Sequence, residues 1–86
     1  MGKQVNAEEY CSMLREMISE EAGNLTGLRA ELAALERIFV EAYLRGYTGI
    51  VESVTTRINA NKEEMRVAYR AIQDGCHQLR ELEEEA

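Results

Sequence analysis

Cys76 and His77 stand side by side late in the sequence, and Asp74 precedes His77 by three residues. A thiol beside an imidazole is the pair that a cysteine nucleophile needs, and an acid three residues before a histidine is half of a carboxylate metal-bundle motif. Neither reading fits the spacing. Consecutive helical residues point about 100° apart, so the His77 ring is directed away from the Cys76 sulfur. Metal bundles need two acid-x-x-His motifs and further inward glutamates, whereas here the motif occurs once and beside an apolar seam rather than in it. Asn24-Leu25-Thr26 has the form of a glycosylation sequon, and Gly23, Gly27, Gly46 and Gly49 are not followed by the Lys and Ser/Thr of a phosphate-binding loop. Glu8, Glu9, Glu16 and Glu20 around Arg15, and Glu63 and Glu64 with Arg66 and Arg70, read as ion pairs on a solvated helix face. The expectation is a chain that is not an enzyme, with no catalytic, cofactor-binding or metal-binding residue.

The elements carrying these residues are helical almost throughout. Steps of three and four from Cys11 give Leu14, Ile18, Glu21, Leu25, Leu28, Leu32, Leu35, Phe39 and Ala42. A second series runs from Val51 through Val54, Ile58, Asn61, Met65, Ala68, Ile72, Gly75 and Leu79 to Leu82. Both have a period of about 3.5 residues, the seam of a left-handed coiled coil. The sequence therefore predicts an all-α fold, a single antiparallel two-helix hairpin over 1–86, with helix 1 about 7–45, a turn about 46–48 and helix 2 about 49–83. In that register Ala42 lies level with Val51, Leu28 with Met65, Leu14 with Leu79, Gly75 with Ile18 and Asn61 with Leu32. Glu21 opposes Ile72 and must snorkel or find a partner. Each arm is roughly 50–58 Å long.

Local signals set the ends. Asn6 is a good N-cap, Glu9 completes a capping box, and Val5 with Tyr10 has the spacing of a hydrophobic staple. Gly46 suits the left-handed position after helix 1, and Thr48 is expected to cap helix 2. Gly23 and Gly27 cost a helix interior about 1 kcal/mol each, so the stretch between them is the weak place of helix 1, where a kink or short break would fall. The terminal ELEEEA places anions at the unfavourable end of the helix dipole and is expected to fray. Cys11 and Cys76 are axially offset by roughly 9 Å, which excludes a disulfide within the chain.

Eighty-six residues allow one small domain with a modest core. Ten Lys and Arg against 16 Asp and Glu give a net charge of -6, which opposes binding to nucleic acid or anionic lipid. No apolar run approaches the roughly 20 residues of a membrane span, and MGKQVNAEEY has no apolar signal region. The chain is expected to be cytoplasmic as synthesised, and export by a route that needs no cleavable signal would leave no mark.

A hairpin with one seam leaves apolar surface over. Tyr10, Met13, Met17, Ile38 and Tyr43 lie beside the first seam, and Ile50, Val67 and Tyr69 beside the second. Such a stripe is completed by pairing into a four-helix bundle, as a homo- or heterodimer with a helical protein partner. Three of the five aromatics, Phe39, Tyr43 and Tyr47, cluster near the turn, where YLRGYTG offers Tyr and Arg as anchors. The expected partner-binding residues are Tyr43, Leu44, Arg45, Gly46, Tyr47, Gly49, Tyr10, Met13, Met17 and Tyr69.

Leu44-Arg45-Gly46 and Tyr47-Thr48-Gly49 at the turn, together with the spacing of KEEMRVAYRAIQDGCHQLREL, resemble the small WXG and LXG helical hairpins of type VII secretion systems. The resemblance implies dimers forming four-helix bundles that act as export substrates or as targeting partners of larger secreted proteins. The chain has no Trp, and Tyr69 is followed four residues on by Gln73 rather than the acid of the family's export signal, so the role implied is that of partner or targeting chaperone. The other expectation is a cytosolic acidic inhibitor or regulator, of phage or mobile-element type, that covers a basic surface on an enzyme or nucleic-acid-binding protein.

Overall fold

The computed structural model describes residues 6–85. Two helices account for it: α1, Ala7–Arg45, and α2, Thr48–Glu85, packed antiparallel into an elongated rod. The all-α hairpin read from the 3.5-residue period is the fold.

The seam follows the expected positions. Leu14, Leu25, Ala42, Val54, Asn61, Ala68 and Gly75 are buried, and every other residue of the two series, Glu21 included, is half-buried. Outside them only Met17, Glu31, Ala34 and Ala71 reach half-burial among the described residues. The register is fixed where Gly75 meets Ile18: a Cβ built on Gly75 would lie 2.7 Å from Met17 Cε and 3.0 Å from Ile18 Cγ1. What reads in sequence as a gap is a socket that the Met17 side chain closes.

The buried Asn61 gives the seam one polar layer. Its Nδ2 donates to the Leu28 carbonyl at 3.0 Å and, at 3.4 Å, to Glu31 Oε1, which also pairs with Arg57 at 2.7 Å. Asn61 Oδ1 has no partner. A lone asparagine in a coiled-coil seam lowers stability and selects register, because only one alignment satisfies its amide.

Helix α1 starts at the expected N-cap, Asn6, whose Oδ1 accepts from the Glu9 N–H at 2.8 Å. Val5, the other half of the expected staple, lies outside the described residues. Helix α1 runs unbroken over Ala7–Arg45, through Gly23 and Gly27, where the seam residues Leu25 and Leu28 anchor the turn. One local expectation is corrected. Helix α2 begins at Thr48, and the carbonyl that accepts its first helical bond, from Val51, belongs to Tyr47, so Tyr47 holds the cap position. At the far end α2 stays helical to Glu85.

The reversal itself is a Schellman motif. Gly46 takes the left-handed conformation (φ 75°), its N–H donates to the Tyr43 carbonyl, and the Tyr47 N–H reaches back to the Ala42 carbonyl at 2.9 Å. The remaining bond, from the Thr48 N–H to the Gly46 carbonyl at 3.0 Å, starts α2 at once. Two residues suffice to turn the chain.

Candidate interaction surface

The chemistry-bearing side chains do not converge. His77 Nε2 pairs with Glu81 at 3.1 Å on the exposed side of α2, and Cys11 and Cys76 are free thiols. Among the described residues no group of three or more His, Cys, Asp and Glu is gathered for a metal ion, and no helix is long and apolar enough to cross a membrane.

Apolar exposure is concentrated at the turn. Leu44 is 78% exposed, Tyr43 68% and Tyr47 50%, with Ile50 beside them. These residues lie beyond Ala42, the last buried seam residue of α1, and none of them is buried. Tyr43 stacks on Phe39, ring centroids 6.1 Å apart and planes 15° from parallel, so a seam residue holds its base while its edge stays open. Tyr47 and Ile50 line a shallow hollow of about 170 Å³ with Ile38, Ala42 and the Arg45 stem, and Arg45 pairs with Glu41 at 3.3 Å. Gly46 contributes the turn conformation, and Gly49 lies in the first turn of α2.

The other expected contact residues are distributed along the rod. Cross-helix pairs sort them onto its two broad faces. Tyr10 OH donates to Gln78 at 3.0 Å and Arg57 pairs with Glu31 on one face; Arg15 pairs with Glu83 at 3.2 Å and Arg29 donates to the Tyr69 hydroxyl on the other. The Arg29 guanidinium also lies 5.7 Å from the Tyr69 ring centroid, a cation–π contact. Tyr10, Met13, Met17, Ile38, Ile50 and Val67 thus belong to the Gln78 face, whereas Tyr69, Tyr43 and Val40 belong to the Glu83 face. Met17 is half-buried because its methyl closes the Gly75 socket, and Met13 is open. Val40 at 54% exposure is an apolar surface residue that the sequence reading passed over; its place one step outside the Phe39 seam position was the available signal.

On the Gln78 face an open groove of about 660 Å³ lies over mid-rod. Leu28, Val67, Ala68, Gly23, Asn24 and Gly27 line it together with Glu21, Glu31, Glu63 and Glu64. No protein-family model matches the chain, and no curated protein or solved structure matches it either.

Proposed function

We propose that the chain is a non-enzymatic helical-hairpin interaction protein, acting as a secretion-associated partner or targeting chaperone of a larger helical protein, or as a small type VII-like secreted protein. The observation that carries this reading is the apolar knob of Tyr43, Leu44 and Tyr47 on a hydrogen-bonded reversal. Large apolar side chains at the tip of a rigid rod add nothing to the hairpin's own core, and a partner that covers them gains aromatic and aliphatic burial with little ordering cost. The Leu44-Arg45-Gly46 motif lies at this tip, with Gly46 in the conformation that makes it. The test is recovery of a tagged chain from its native host with its bound protein. Leu44→Asp should abolish recovery of a discrete helical partner while leaving helicity unchanged, and recovery undiminished by that change would overturn the reading.

The four glutamates that line this groove, Glu21, Glu31, Glu63 and Glu64, favour a second reading, an inhibitor or regulator that covers a basic surface. The two differ in salt response. Apolar docking at the turn persists as ionic strength rises, whereas a complex held by these carboxylates dissociates.

A further inference from the structure

We infer that the mid-rod groove is the docking site for a single basic amphipathic helix of a partner protein, one that presents two Lys or Arg side chains two helical turns apart with apolar residues between them. The inference rests on the second reading, a chain that covers a basic surface, and it names the place and the partner's chemistry.

Charge and spacing define the occupant. Of the four glutamates that line the groove, Glu31 already pairs with Arg57 at 2.7 Å and Glu63 with Arg66 at 3.2 Å, whereas Glu21 and Glu64 take part in no ion pair among the described residues. In the register fixed by Gly75 and Ile18, Glu64 lies level with Arg29, so the two uncompensated carboxylates stand roughly 12 Å apart along the rod. Ala68 lies level with Leu25 and Val67 with Thr26, which sets the apolar lining between those carboxylates. On a helix, residues seven or eight apart are separated by the same roughly 10–12 Å and share a face. Cations there meet Glu21 and Glu64, and the apolar side chains between them cover Leu28 and the exposed Val67.

Backbone chemistry selects a helix for that segment. An extended chain would bring donors and acceptors to a groove between two helices, where no strand edge pairs them, while a helix arrives with its own already bonded. The occupant also needs close approach, and Gly23 and Gly27 supply it: both are exposed, and nothing stands within 4 Å of a Cβ built on either. Neither has the positive φ that requires glycine, so nothing within the hairpin calls for the lowered helix propensity of this stretch. The same face of a second copy would set four further carboxylates against these, and nucleic acid or anionic lipid would be repelled by them.

Isothermal titration calorimetry of the full chain with a synthetic peptide tests this. The probe is an alanine-based helix carrying Lys at positions i and i+7 and Leu at i+3 and i+4, and a control of the same composition moves the second Lys to the opposite side of the helix. The wild type should bind the probe at low ionic strength, and the control roughly tenfold more weakly. Glu21→Gln combined with Glu64→Gln should weaken probe binding about tenfold with the circular dichroism spectrum of a full hairpin. Gly27→Leu should weaken it likewise by blocking the approach, and Leu44→Asp, at the turn, should leave it unchanged. No binding of the probe, equal binding of probe and control, or indifference to both the glutamine pair and Gly27→Leu overturns the proposal. A host partner that salt releases equally from the wild type and from the glutamine pair keeps the second reading and overturns the groove. A host partner held equally at low and high salt overturns the second reading and this inference with it.

Discussion

The side-chain amide of Asn61, the one polar residue buried in the seam among the described residues, donates from α2 to the Leu28 carbonyl on α1 at 3.0 Å. The same amide points at Glu31, so the layer is arranged around a donor. Asn61→Asp replaces that donor with an acceptor and sets a carboxylate against a carbonyl and a second carboxylate. The expected loss is about 3 kcal/mol at neutral pH, read as a lower urea midpoint. An unchanged midpoint would show that this layer does not select the register.

Glycine substitutions should separate by position. Gly23→Ala meets open space within a continuous helix and should stabilise by roughly 0.5–1 kcal/mol through propensity alone. Gly46→Ala forces a Cβ into the left-handed region and should cost about 1–2 kcal/mol. Thermal unfolding of the two variants should therefore move in opposite directions.

Gly75 is the discriminating case. Alanine there gains propensity but crowds Ile18 Cγ1, a stiff branched neighbour, and displaces Met17 Cε, the free end of a flexible chain. Those effects oppose each other, so Gly75→Ala should be near neutral, whereas Gly75→Leu overpacks the socket and should cost about 1–3 kcal/mol. A Leu variant as stable as wild type would contradict the register.

Leu25 is buried in the hairpin, whereas Leu28 and Leu35 are half-buried. Leu25→Ala should cost about 2–3 kcal/mol in denaturant unfolding, and Leu35→Ala less, about 1–2 kcal/mol. Equal losses would mean that the Leu35 side chain is covered by something beyond its own hairpin.

Tyr47 supplies its backbone to the turn and leaves its ring half open. Tyr47→Ala should change stability by no more than about 0.5 kcal/mol while weakening partner capture. A large drop in melting temperature would reassign the ring to the fold.

The seam was legible because a 3.5-residue period states which side chains turn inward: every position from Cys11 to Ala42 and from Val51 to Leu82 in the two series is buried or half-buried. The level of Gly75 with Ile18 followed from the short turn alone. Other features depended on side-chain reach rather than spacing. Nothing in the sequence places Met17 Cε over Gly75, or turns Asn61 toward the Leu28 carbonyl instead of the level Leu32. Spacing alone left open whether helix 1 breaks at Gly23 and Gly27, where packing of Leu25 outweighs about 1 kcal/mol per glycine. Propensity misjudged the α2 start, where the Schellman bonds hand the cap carbonyl to Tyr47 before the Thr48 side chain is needed. At the candidate surface, the turn cluster was legible as a cluster, while the division of Tyr10 and Tyr69 between opposite faces required the cross-helix pairs.

The two-residue reversal at Gly46 and Tyr47 also orders the events of folding. Once it closes, Ala42 and Val51 are neighbours, and each successive layer needs only the layer before it, so loop-closure entropy is met once and the arms zip outward from the turn. The open end, where Leu14 meets Leu79, forms last. Amide protons there should exchange fastest in the native state, with protection rising along both arms toward the reversal.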